Sequence, residues 1–194
     1  MSNETYVKEY LKNKGLNDMA IAGIMGNIQA ESGFNSSAEN SSSGAYGLFQ
    51  WLGSRKKSLK KFAEEKGTDI SDIETQMDFF WNELQTSEKS TYNAMTGDLY
   101  DSPEQYATAF EKLFERSGGA LLEKRQDYAQ AFYSGDMTED VGTGNTSTVK
   151  KTISNNSGLT WWGDIVKVVL IFGLIVGGVV LLAVSAKTTA GEVL

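Results

Sequence analysis

Residues 16–34 read "LNDMAIAGIMGNIQAESGF", an apolar stretch that opens on Asn17 and closes on Gly33 with a single carboxylate near its end. Taken as a helix, it brings Ile21, Ile24, Ile28 and Glu31 onto one face, because spacings of 3, 4 and 3 follow the helical turn. Glu31 thus aligns with the apolar side and not with the solvated one. It also falls in the last turn, where the negative end of the helix dipole opposes a carboxylate, and Gly33 suits a left-handed cap. Partial burial and the dipole both favour the protonated form, which a general acid needs near neutral pH. The competing reading is an ordinary helix end followed by a turn.

The chain continues as "NSSAENSSSGAYGLFQW" over residues 35–51. Gly44 and Gly47 let the backbone turn tightly and approach a ligand, while Tyr46, Phe49 and Trp51 offer flat apolar surfaces for sugar faces. Gln50 both donates and accepts hydrogen bonds, as recognition of hydroxyls or N-acetyl groups demands. Any one of these would suit a plain hairpin, so the combination carries more than its parts.

Composition narrows the chemistry. The chain has 194 residues, 40% of them apolar, enough for one domain with an appendage. It contains no cysteine and no histidine, which removes disulfides, thiol nucleophiles, Ser-His and Cys-His arrangements and the usual zinc ligands. Chemistry is left to carboxylates, hydroxyls and lysines, and no metal or cofactor is expected. Residues 1–140 hold 14 Lys+Arg against 23 Asp+Glu, an acidic excess that disfavours a nucleic-acid duplex as partner. The basic run Arg55, Lys56, Lys57, Lys60, Lys61 and Lys66 is expected to be a solvated helix face.

Elsewhere the patterns are helical. "DIETQMDFFWNELQ" and "SPEQYATAFEKLFER" repeat apolar residues at helical spacing, and Ser102 before Pro103 forms a cap with a first-turn proline. Met19, Met25 and Met77 are expected in the core, and Glu83, Glu115, Arg116 and Arg125 in ion pairs or caps. The expected class is mainly α, with a small β-hairpin.

The C-terminal third differs. Of the 27 residues in 134–160, 17 are Gly, Ser, Thr or Asn, the composition of a flexible tether. Residues 168–186 then form an apolar run that opens at Val168, closes at Ala186 and is interrupted only by Ser185. Such a run is about 28 Å long as a helix, close to the hydrocarbon core of a bilayer. Trp161 and Trp162 suit an interfacial belt, and Lys167 is placed to snorkel. The division is therefore a globular domain at 1–133, a linker at 134–160, a membrane-spanning helix at 161–187 and a short polar tail at 188–194. Gly173 and Gly177 have the spacing of a helix-dimer face, although glycine is common in spans. The N-terminus is polar from its first residue, so a secretory route is not indicated.

"ESGF", followed 13 residues after its glutamate by "GAYGLFQW", resembles the lysozyme-like superfamily. There a helix-ending Glu-Ser precedes a Gly-x-x-Gly-Leu-x-Gln segment, as in goose-type lysozymes and soluble lytic transglycosylases. The chain is most similar to the tail-lysozyme type of bacteriophage virions, to which "AGIMGNIQAESGFN", "QMDFFWNEL" and "FERSGG" also correspond. The resemblance implies an α+β lysozyme-like fold over about residues 5–133. It implies cleavage of the β-1,4 bond between N-acetylmuramic acid and N-acetylglucosamine in peptidoglycan glycan strands, with Glu31 as general acid. It further implies that Ser32 fixes the helix end, that Gln50 and the backbone from Gly44 to Phe49 bind sugar, and that Tyr46 and Trp51 line subsites.

A lysozyme needs a second carboxylate, for which Glu39 is the nearest candidate; a lytic transglycosylase needs only one. The expectation is the second, with Glu39 in a solvated loop. A wall enzyme with a membrane segment and no leader is reconciled by packaging in a virion alongside other virion proteins, followed by delivery to the host wall and membrane, so that it opens the wall as the genome is ejected. The alternative is a catalytically inactive lysozyme-like structural or wall-binding virion protein with a membrane-inserting C-terminal helix.

Overall fold

The computed structural model describes residues 1–136. The linker beyond that point, the apolar run at 168–186 with its flanks, and the tail at 188–194 lie outside the described residues. Among those described, no helix is long and apolar enough to cross a membrane.

The elements are α1 (Asn3–Asn13), α2 (Asp18–Ser32), α3 (Gly53–Lys66), α4 (Ile73–Gln85), α5 (Lys89–Thr96), α6 (Pro103–Phe110), a π-helical turn (Glu111–Glu115) and α7 (Leu122–Ser134). The mainly helical expectation is met. Asn17 caps α2 by accepting the Ala20 N–H at 2.8 Å, and Gly33 ends it at φ +58° with its N–H on the Gln29 carbonyl. Ser102 and Pro103 start α6 as their order requires.

Helix α2 is the axis of the domain. All nine residues 20–28 are buried, so the helix is enclosed and not merely amphipathic. Two glycines make this possible. A Cβ on Gly23 would lie 2.8 Å from the Ala107 backbone nitrogen, and one on Gly26 would lie 2.5 Å from the Arg125 carbonyl oxygen. Helices α6 and α7 thus rest almost directly on the α2 backbone. Against this unit packs an aromatic cluster in which Phe49 stacks on Phe80 at 4.4 Å and Phe110 on Phe114 at 4.8 Å.

The expected hairpin is reduced to two isolated antiparallel bridges, Glu39 with Tyr46 and Tyr46 with Trp51. Positive φ at Gly44, Gly47 and Gln50 turns the chain every three residues, too often for a ladder to grow. The loop is instead anchored by Gln76 of α4, which is fully buried. Its Oε1 accepts the Leu48 N–H at 2.9 Å, and its Nε2 donates to the carbonyls of Ser36 at 2.7 Å and Ile70 at 2.8 Å. Gly47 lies against that amide, where a Cβ would sit 2.7 Å from Oε1.

The basic run falls on α3 and divides by direction. Lys57, Lys60 and Lys61 are exposed, and the last two pair with Glu64 and Glu65 one turn on. Arg55 points inward instead.

Replacing Gly26 by alanine forces α7 off α2, and the expected loss is about 1–3 kcal/mol of unfolding free energy. The urea midpoint, measured with the slope of the transition, checks this.

Candidate functional site

Glu31 occupies the last turn of α2 with its side chain 18% exposed. It does not stand alone. Arg125 of α7, only 2% exposed, donates Nη2 to Glu31 Oε1 at 2.6 Å. The same guanidinium donates Nη1 to Asn27 Oδ1 at 3.0 Å and Nε to the Ala120 carbonyl at 3.1 Å. Asn27, fully buried, donates its own Nδ2 to the carbonyls of Gly23 at 2.9 Å and Ala107 at 3.1 Å. Three helices therefore orient one carboxylate. Sequence spacing put Glu31 on the buried face of α2 but could not supply its partner, which lies 94 positions downstream.

Ser32 fixes the helix end from the other side. Its Oγ donates to the Leu48 carbonyl at 2.9 Å and faces the Ile28 carbonyl at 3.3 Å, tying α2 to the loop.

Among the sugar-binding candidates, the fold separates surface from core. Tyr46 and Gln50 are half-buried. Gln50 is held at φ +47°, a conformation costly for a side-chain-bearing residue, and its Nε2 donates to the Gly47 carbonyl at 3.0 Å. Lys56 lies over the Tyr46 ring at 5.2 Å and donates to the Gly44 carbonyl at 2.8 Å. Phe49 is 1% exposed and Trp51 fully buried, so neither ring has a face to offer a sugar. Their expected subsite role gives way to a core role, because the turns at Gly47 and Gln50 direct both inward. Trp51 Nε1 donates to Glu83 Oε2 at 2.8 Å. Arg55 grips the same carboxylate with two hydrogen bonds of 2.8 Å each.

Glu39 is 58% exposed and bound by Lys56 at 2.9 Å. The carboxyl with an unusual environment is another one. Glu115 ends the π-helical turn, and its Oε1 is sealed from solvent with no hydrogen-bond partner, although the residue as a whole is only half-buried. Burial pushes this carboxyl well above the ordinary carboxylate range; the Glu31 charge pushes the same way, against Arg125 and Arg55. The next residue, Arg116, sits at φ +54° and pairs with Glu88 of α5. Regular helical spacing predicts an ion pair or cap for Glu115, and the π turn overturns it by rotating the side chain away from a regular helix position.

Two cavities lie away from Glu31. One of about 490 Å³ is lined by Lys8, Lys12, Asp18, Ile21, Ala22, Phe132 and Tyr133, towards the start of α2. The other, about 220 Å³, borders the Arg55–Glu83 pair. Among the described residues, no group of three or more carboxylates is placed to share a metal ion.

Two outcomes follow from these contacts. Arg125→Met strands Glu31 and should cost about 3–5 kcal/mol of stability, whereas Glu31→Gln, which leaves Arg125 its other two acceptors, should cost about 1–2 kcal/mol. Parallel urea unfolding curves compare them. Separately, the folded protein binds the Glu115 proton more tightly than the unfolded chain, so stability is fullest below the unfolded value of about 4.3 and declines as pH rises through the folded one. Glu115→Gln should flatten that decline in denaturation curves taken at intervals from pH 4 to 8.

A family model for phage tail lysozyme matches residues 2–135, the same span that carries the Glu31–Arg125 clamp, the anchored loop and the Glu115 turn. The chain belongs to the phage tail lysozyme family.

Proposed function

We propose that this protein cleaves the β-1,4 bond between N-acetylmuramic acid and N-acetylglucosamine in peptidoglycan, with Glu31 as the acid and then the base. Family membership supports the coarser statement, a phage wall-degrading glycosidase. The observation that carries the finer one is the clamp on Glu31: a partly exposed carboxyl at a helix end, oriented by a buried guanidinium that two further acceptors fix in place. An acid held in one orientation needs little reorganisation when it meets the bridging oxygen.

The chemistry is a proton transfer in two directions. The carboxyl proton passes to the bridging oxygen as the bond from that oxygen to the anomeric carbon breaks and oxocarbenium character develops. An incoming hydroxyl then bonds to the anomeric carbon and returns its proton to the same carboxylate. Because Glu39 is exposed and taken up by Lys56, it is poorly disposed to hold a water against the sugar. That favours the muramyl 6-hydroxyl as the incoming group and a 1,6-anhydro product. Tyr46, Gln50 and the loop backbone around Gly44 and Gly47 are the proposed sugar contacts.

The same proposal places the protein in the virion, in keeping with its family, and assigns residues 168–186 to the host bilayer once the wall is opened. The glycine- and serine-rich linker lets the enzyme work in the wall while that segment holds lipid.

Glu31→Gln should lower the rate of muropeptide release by about a hundredfold or more while circular dichroism is unchanged. Mass spectrometry of the released muropeptides should show anhydro ends. Reducing ends would overturn the internal attack, and an inactive wild type would overturn the enzyme.

A further inference from the structure

The large apolar side chains exposed among the described residues include Leu52, Leu99, Leu121 and Tyr133, and Leu121 differs from the rest in its backbone. It stands at φ +57° and ψ +23°, in left-handed conformation, as the N-cap of α7, and its side chain caps no N–H of that helix. Two local preferences therefore run against leucine. In left-handed backbone the Cβ of an L-residue crowds the following carbonyl oxygen, a contact that glycine lacks and asparagine offsets by local hydrogen bonding. A helix N-cap favours serine, threonine, aspartate or asparagine, and leucine is among the poorest choices. Burial does not compensate, because Leu121 is 55% exposed.

Between the π turn and α7 the backbone is left-handed at four positions, Arg116, Gly118, Gly119 and Leu121. Glycine stands at two of them. Arg116 uses its side chain to pair with Glu88. Leu121 has a side chain more than half in solvent and no role in the fold that explains it.

Its place is fixed from both sides by one residue. The Ala120 carbonyl just before it accepts Arg125 Nε at 3.1 Å, and its own carbonyl accepts the Arg125 backbone N–H at 2.9 Å. Arg125 also donates Nη2 to Glu31 Oε1 at 2.6 Å. Glu31 and the peptide unit leading into Leu121 thus bind nitrogens of a single buried guanidinium, and the leucine is held beside the carboxyl on a backbone that cannot drift from it. Further back, Glu111 anchors the loop by accepting the Ser117 hydroxyl and the Gly119 N–H. Sugar rings present C–H faces as well as hydroxyls, and with Phe49 and Trp51 in the core the loop on the other side of Glu31 has little apolar surface beyond Tyr46 to meet them.

We propose that Leu121 is a substrate contact, packing against the apolar C–H groups of the glycan strand beside the bond that Glu31 cleaves. This rests on the glycosidase reading given above. Its misfit with backbone and cap is a local conflict of the kind that marks functional positions, where stability is given up for activity. The fixed backbone lowers the entropy lost when the strand binds. A contact away from the reacting atoms holds substrate and transition state alike, so it acts mainly on KM.

The test compares the full-length protein with Leu121→Asn, which suits both the left-handed backbone and the cap, and with Leu121→Met, which keeps an apolar side chain. Leu121→Asn should raise the urea midpoint. It should also raise KM for soluble glycan strands of alternating N-acetylglucosamine and N-acetylmuramic acid by about tenfold, the loss in kcat/KM falling mainly on KM. Leu121→Met should bring KM back near the wild-type value. A lower urea midpoint in Leu121→Asn would mean that the fold needs the leucine and would overturn the proposal, as would an unchanged KM, a loss confined to kcat, or no recovery in Leu121→Met. Binding is read separately, by calorimetry with the same strands on Glu31→Gln and on Glu31→Gln combined with Leu121→Asn. An affinity about tenfold weaker in the double variant supports the contact, even beside a wild type that releases no muropeptides, which overturns the glycosidase alone. Equal affinities beside an active wild type overturn the contact and leave the glycosidase standing.

Discussion

A guanidinium buried to 2% exposure must find an acceptor for each N–H it turns inward, and Arg125 finds them at two places, on α2 through Glu31 and Asn27 and in the turn before α7 through the Ala120 carbonyl. That requirement governs the domain. Asn27 can serve Arg125 only because its own amide is satisfied by carbonyls of α2 and α6, and α6 reaches it only because Gly23 has no side chain. Gly26 performs the same service for α7 at the turn where Arg125 departs. The close helix packing and the orientation of Glu31 are therefore one arrangement, since widening the gap between α2 and α7 would break the clamp and the core together. A site built this way is rigid for the reason the core is rigid.

The cost of the arrangement appears in the segment between α6 and α7. There the helix widens into a π turn, and the chain reverses through left-handed backbone at Arg116 and again at Leu121. Each such residue stores about 1–3 kcal/mol of strain, tolerated only when its surroundings determine it fully. Glu111 supplies part of that determination by accepting the Ser117 hydroxyl and the Gly119 N–H, and the Arg116–Glu88 pair supplies more. Glu115 is what the segment leaves uncompensated. Burial first and the neighbouring carboxylates second push its carboxyl well above the ordinary carboxylate range.

Much of this was legible from residue order. The caps of α2 and α6 follow from Asn17, Gly33, Ser102 and Pro103, whose local chemistry acts within a few residues. Glu31 on the buried side of its helix is likewise a matter of spacing. The aromatic residues of the loop misled because flat apolar side chains serve a sugar subsite and a core equally well; only positive φ at Gly47 and Gln50 decides that Phe49 and Trp51 point inward. Gln76 and Arg125 were out of reach for a different reason. Each acts on a segment at least 28 residues away, and nothing local marks a glutamine or arginine as an anchor for distant backbone. Glu115 was hidden by a change of helical period, which no pattern built on the regular turn detects.

Which carboxyl could manage a water molecule bears directly on the reaction. A hydrolase with inversion or with a covalent intermediate needs a second group that is negative when the sugar arrives. Glu39 is held by Lys56 at the exposed rim of the loop, where water screens the pair. Glu115 is inside, but there burial disfavours the negative form. Neither combines charge with position. A single oriented acid that takes its proton back from the attacking hydroxyl makes no such demand, and the muramyl 6-hydroxyl is already attached to the ring it attacks. The internal attack proposed above is the reaction that asks nothing of either Glu39 or Glu115.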